Sequence, residues 1–144
     1  MSSVLVINGP NLNLLGTRQP EVYGSDTIED IEALCRDTAT ELGLSVSFFQ
    51  SNHEGALIDK IHEARTTVDG IVLNAGAYSH TSVALHDALK SVDVPAVEVH
   101  ISNIHSRESF RHHSYLTPAA IGIVSGFGIQ SYALAMRALA SRYS

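Results

Sequence analysis

Cysteine is nearly absent. Cys35 stands alone in 144 residues, which excludes an internal disulfide framework. It falls on an apolar helical stripe and reads as a buried thiol. Long apolar runs are missing too. None approaches the roughly 20 residues a membrane span requires, and Met1-Ser2-Ser3 sets no basic leader before the first apolar run. The expected location is the cytoplasm. Basic residues are few: nine Lys and Arg face fifteen Asp and Glu, a net charge of −6. No basic footprint for nucleic acid results, although a few placed arginines still suit a small anionic ligand. Lysine is limited to Lys60 and Lys90, both within helical patterns away from strand ends.

What is present is an ordinary globular composition. An apolar share of 44% with only 17% charged residues excludes a disordered chain and suits one domain over residues 1–144. Five runs read as strands, at 4–7, 44–49, 70–73, 96–99 and 121–124. Four are nearly continuous apolar runs, as in parallel strands covered on both faces. The second alternates Leu44, Val46 and Phe48 with serines, which suits a wetter strand at an edge. Between them lie helical patterns. One starts near 25–26 and carries Ile28, Ile31, Leu34, Cys35 and Leu42 on one face, with Gly43 placed to end it. Others cover 56–64, 83–89 and 128–142, the last with Tyr132, Met136 and Leu139 on one side. This alternation predicts an α/β fold of the flavodoxin-like kind, a five-stranded parallel sheet with helices on both faces.

Chemistry gathers in the loops after the strands. In such sheets ligands bind outside the carboxyl ends of strands. The run 96–99 ends at His100, a group able to titrate near neutrality where a strand gives way to a loop. The loop after the first strand, 8–24, is about 17 residues long, unusual for a simple connection. It carries Arg18 and Tyr23, and either closes over a pocket as a lid or is an exposed loop. The loop 74–82 holds Asn74 and His80 and opens a helix that Ser79, Thr81 or Ser82 can cap. These residues are a sheet-edge binding set or only a turn and a cap. The loop from His100 to Tyr115 adds His105, His112, His113, Arg107 and Arg111. Its histidines lack metal-ligand spacing, and the arginines suit carboxylate or polyol binding better. Gly126-Phe127-Gly128 is a degraded dinucleotide fingerprint, better read as a tight strand-to-helix turn. A phosphate-binding module would need a glycine-rich cradle, which the first loop lacks.

Five stretches in register make these loops one pattern. They are Asn8-Gly9-Pro10-Asn11-Leu12, Arg18 with Tyr23-Gly24, the run 73–82 from Leu73 to Ser82, Glu98-Val99-His100-Ile101-Ser102-Asn103, and Phe110-Arg111-His112-His113-Ser114. Together they resemble the type II 3-dehydroquinate dehydratases, cofactor-independent enzymes of the shikimate pathway, over nearly the whole chain. The resemblance implies elimination of water from 3-dehydroquinate through an enolate. It implies Tyr23 as the base, Arg18 as the cation that makes it basic, Asn11 at the water that stabilises the enolate, and His100 as the acid. Backbone N–H groups of Ile101 and Ser102 would hold the substrate carboxylate. Asn74, His80 and Arg111 would hold ring hydroxyls. Asp87 matches an acidic residue that reaches a neighbouring subunit's site in a dodecamer built as a tetramer of trimers. No metal or cofactor is implied.

The chemistry of these groups agrees. A phenol titrates near pH 10, and making it a base at neutrality takes roughly 4 kcal/mol of differential interaction. A guanidinium in a drained site can supply that. Glu98 precedes His100 by two residues, on the same side of a strand. Glu98 or a backbone carbonyl is expected to orient the ring.

Overall fold

The computed structural model describes residues 1–17, 21 and 24–143. Five parallel strands form one sheet in the order β2-β1-β3-β4-β5. They are β1 (Ser3–Asn8), β2 (Ser45–Gln50), β3 (Gly70–Asn74), β4 (Ala96–His100) and β5 (Gly122–Ser125). Among the described residues four helices alternate with them: α1 (Ile28–Leu42), α2 (Glu54–Ala64), α3 (Val83–Val92) and α4 (Gln130–Ala140). This is the flavodoxin-like arrangement the alternation predicts.

Strand alternation divides the core into two layers. Val4 and Val6 of β1 pack with Ile31, Cys35, Tyr132, Met136 and Leu139 of α1 and α4. Leu5 and Ile7 face the other way, onto Leu57, Ile61, Leu85 and Leu89 of α2 and α3. Each such aliphatic side chain, fully buried, contributes about 1.5–3 kcal/mol. The central strands β3 and β4 are buried along their whole length. β2 is an edge, as its serine alternation suggests.

The far edge departs from expectation. β5 is not covered on both faces: Ile121, just before it, is 48% exposed and Ile123 is 39% exposed. α4 closes one face, and no described helix reaches the other.

Local chemistry sets the helix ends. α1 starts at a Thr27–Asp30 capping box, two residues later than expected, and stops at Gly43 with φ 71°. α4 starts at Gln130 rather than 128 because Gly128 takes φ 62°, a left-handed conformation that cannot continue into a helix. α3 runs on past 89 to Val92, where Asp93 turns left-handed.

Candidate active site

Three loops leave the carboxyl ends of β1, β3 and β4 and meet around one cavity of about 140 Å³. The first is pinned at its root. The Gly9 N–H donates to the Asn74 carbonyl at 2.7 Å. A Cβ at Gly9 would lie 2.5 Å from the Ala75 carbonyl oxygen, so only glycine lets the β1 and β3 loops touch here. Asn11 follows with φ 69°, a left-handed conformation that asparagine tolerates. Its N–H donates to Asn52 Oδ1 at 3.0 Å. Asn52 also accepts from Tyr78 Oη through its carbonyl at 2.8 Å, tying the loops after β1, β2 and β3 together. The expected long loop is therefore structured at its start: Leu12–Leu14 is a 3₁₀ turn, and Leu12 and Leu15 are buried in the core.

The loop after β3 coils into a 3₁₀ turn, Gly76–His80. Ser82 caps α3 by accepting from the Leu85 N–H at 2.9 Å. Asn74 Oδ1 accepts from the Gly76 N–H at 3.1 Å, and its Nδ2 donates to Tyr132 Oη at 2.9 Å. His80 Nδ1 lies 2.8 Å from the His113 carbonyl. A carbonyl only accepts, so Nδ1 carries the proton and Nε2 is left as an acceptor in the neutral ring. Burial lowers the pKa of His80, aided by His100 and Arg111 nearby, against the opposing hydrogen bond to His113. The ring stacks at 6.0 Å from that of His100.

His100 ends β4 and is buried. Its Nε2 lies 2.5 Å from Glu98 Oε2. A carboxylate has no proton to offer, so Nε2–H is the donor. Glu98 is 1% exposed yet fully served: Ser114 Oγ donates to Oε2 at 2.7 Å and Thr117 Oγ1 to Oε1 at 2.5 Å. Burial alone would raise its pKa. The hydrogen bonds from His100, Thr117 and Ser114 outweigh that and hold it below the ordinary carboxylate value. Of the two ways the sequence offered to orient His100, the structure therefore uses the carboxylate.

Beyond His100 the chain is braced from β5. The Gly126 and Gly128 N–H groups donate to the His100 and Ile101 carbonyls at 3.1 and 3.0 Å. Both glycines have positive φ, so the glycine-rich stretch is a tight turn supporting the cavity wall. Arg107 Nη1 donates to Ser102 Oγ at 3.2 Å. Arg111 Nε sits 3.2 Å from exposed Glu108 Oε2, a surface contact weak enough to yield to a ligand.

The cavity brings together Asn11, Asn74, His80, His100, Ile101, Ser102 and Arg111. Arg18 and Tyr23 lie outside the described residues. Asp87 is exposed on α3 and does not line the cavity. A second hollow of about 510 Å³ shares Ile101, Ser102 and Arg107 with the first and extends to Glu21, Gly24 and Asp26. No helix among the described residues is long and apolar enough to cross a membrane. No group of three or more potential metal ligands forms among them.

Sequence reasoning missed several contributors. Arg107 was read with Arg111 as suited to carboxylate or polyol binding but was not among the named site residues, and it lines the cavity. Asn52, Ser114, Thr117 and Tyr132 act from behind the wall. Tyr132 read as core by its helical spacing, and nothing in that spacing announced its hydroxyl contacts.

A family model for class II dehydroquinases matches residues 2–140. The chain is similar to the 3-dehydroquinate dehydratase of Marinomonas sp., at 58% identity over 144 residues and 96% of each chain. It is 64% identical over 138 residues to the 3-dehydroquinate dehydratase of Methylobacterium radiotolerans, covering 96% of this chain and 93% of that one. Among solved structures, the type II dehydroquinase from Butyrivibrio crossotus superposes with a TM-score of 0.94 at 46% identity, over 96% of this chain and 97% of that one.

Proposed function

The chain belongs to the class II dehydroquinase family, and from that premise we propose how it eliminates water from 3-dehydroquinate to give 3-dehydroshikimate. Tyr23, made basic by Arg18, removes a proton from the carbon next to the ketone. Electron density moves onto the ketone oxygen, and the enolate is stabilised through a water held at Asn11. His100 then protonates the departing hydroxyl as the carbon–oxygen bond breaks. Glu98 fixes Nε2 as the nitrogen bonded inside the protein, which leaves Nδ1 to carry the proton to substrate. The Ile101 and Ser102 N–H groups bind the carboxylate. Asn74, His80 and Arg111 bind ring hydroxyls.

The observation that carries this reading is the cavity beside His100. It joins an imidazole bonded to a buried carboxylate with two asparagines, a neutral histidine and two arginines, Arg107 and Arg111. Such a set offers a proton donor, hydroxyl partners and cationic side chains for an anionic polyol acid. A hydroxyl is a poor leaving group unless protonated, so the acid has to sit at the cavity wall.

The whole chain, 1–144, acts as one catalytic domain in the cytoplasm and needs no cofactor. It assembles as a dodecamer, a tetramer of trimers, in which Asp87 reaches a neighbour's cavity. The exposure of Asp87 on α3, away from its own cavity, supports that part. Sedimentation velocity tests the assembly.

The deciding experiment follows the ultraviolet absorbance of the conjugated enone on adding 3-dehydroquinate, with and without a chelator. The rise is expected in both. No rise rejects the reading, and a rise abolished by chelator rejects its metal-free chemistry. Tyr23→Phe and His100→Ala are each expected to cut turnover by about 10²-fold or more, the scale of general acid–base catalysis. Preserved turnover removes that residue from its role.

A further inference from the structure

Tyr132 is 0% exposed, in the first turn of α4 on its apolar face. Packing with Met136 and Leu139 asks only for a ring, so its hydroxyl needs a separate reason. Burying an unserved hydroxyl is costly, and this one is served twice. Oη donates to Asn8 Oδ1 at 2.6 Å and accepts from Asn74 Nδ2 at 2.9 Å. Burial pushes this phenol well above its usual range, so it stays neutral and keeps that proton. Asn8 closes β1, Asn74 closes β3, and both are almost wholly buried. Only Asn74 lines the cavity.

We propose that Tyr132 is a positioning residue for substrate: with Asn8 behind it, it fixes which way the Asn74 carboxamide presents its N–H to a bound hydroxyl. This rests on the reading above that Asn74 binds a ring hydroxyl. An asparagine amide can sit in two orientations that are nearly equal in shape. Here both ends of the network are committed. The hydroxyl proton goes to Asn8 Oδ1, so Oη turns a lone pair to Asn74 and selects Nδ2. On the other side the Gly76 N–H selects Oδ1 at 3.1 Å. Turning the amide over would set oxygen against lone pair and N–H against N–H. One Nδ2 hydrogen remains for the cavity. Without the tyrosine hydroxyl, only the Gly76 contact selects the orientation.

The test is a double-mutant cycle on the full chain with 3-dehydroquinate as probe. Tyr132→Phe is expected to raise KM about five- to tenfold, the worth of one hydrogen bond, with kcat held. In an Asn74→Ala background the same change is expected to move KM less than about twofold, because the group it positions is gone. An equal factor in both backgrounds marks a merely structural tyrosine and overturns the proposal. So does an unchanged KM in the single variant, or a loss confined to kcat. If Asn74→Ala alone leaves KM unchanged, the hydroxyl assignment of Asn74 fails, a different and separately visible outcome. Should Tyr132→Phe not fold, Asn8→Ala removes the acceptor that commits the hydroxyl proton. It is expected to raise KM with the same dependence on Asn74, and independence from Asn74 overturns the proposal.

Discussion

Replacing Glu98 by glutamine keeps the shape of the side chain and removes its charge. Glu98 accepts from three donors: His100 and Ser114 on Oε2, Thr117 on Oε1. A glutamine serves this set in one orientation. Its oxygen stays with His100 and Ser114, and its NH₂ group turns to Thr117, whose hydroxyl rotates to accept. The ring keeps its place, so the substitution isolates the charge. A hydrogen bond to a charged group is worth about 1.5–3 kcal/mol, against about 1 for a neutral one. The variant therefore loses about 0.5–2 kcal/mol of support for the protonated ring, a fall in kcat of roughly 2- to 30-fold. KM is expected to hold, because Glu98 does not line the cavity. The enone absorbance assay reads both constants, with circular dichroism as the check on folding. An unchanged kcat refutes the role of the carboxylate. A loss as complete as that of His100→Ala refutes the separation of charge from geometry.

Acid stability has a matching sign. The pKa of Glu98 lies below its ordinary value of 4.5 in the folded chain, so its contribution is present above that value and lost as pH falls through the folded one. The Tm advantage of the native chain over Glu98→Gln is expected to shrink below about pH 4.5, the ordinary carboxylate value, and an advantage that grows there contradicts the assignment. Gly9→Ala forces a methyl against the Ala75 carbonyl and is expected to cost about 1–3 kcal/mol in urea unfolding; a neutral result contradicts the close approach. Cys35 is buried, and burial pushes its thiol up to about 12. Maleimide is expected to leave it unmodified until the chain unfolds, and stoichiometric labelling of the native fold refutes this. Borohydride with 3-dehydroquinate is expected to trap no adduct, since Lys60 lies on α2 and Lys90 on α3, outside the cavity; a trapped adduct rejects the enolate route.

The two core layers were legible because they follow from periodicity. Val4 and Val6 against Leu5 and Ile7 dictate two faces, and the stripes on α1 and α4 supply one of the covers. The edge position of β2 was legible for the same reason. β5 was misjudged because a short apolar run looks alike whether one face is covered or two; only the position of the strand in the sheet decides that. The start of α4 was missed because the left-handed turn at Gly128 is a tertiary brace for Ile101, as Gly126 is for His100, which helical spacing does not encode.

The sequence by itself determined the strand–helix alternation, the loops that carry chemistry and, through five motifs in register, the family. It also put Glu98 on the same side as His100, since alternate residues along a strand share a face. Only the tertiary structure decided what those residues do to one another. It chose the carboxylate over a backbone carbonyl as the partner of His100, and served that carboxylate from Ser114 and Thr117. It pinned Asn11 through Asn52, and turned a core tyrosine on the last helix into the neighbour of asparagines from the first and third strands. The physical reason is that hydrogen bonds are set by distances of a few tenths of an ångström between groups far apart in the chain. Composition and spacing carry the burial that brings such groups near, but not the geometry that joins them.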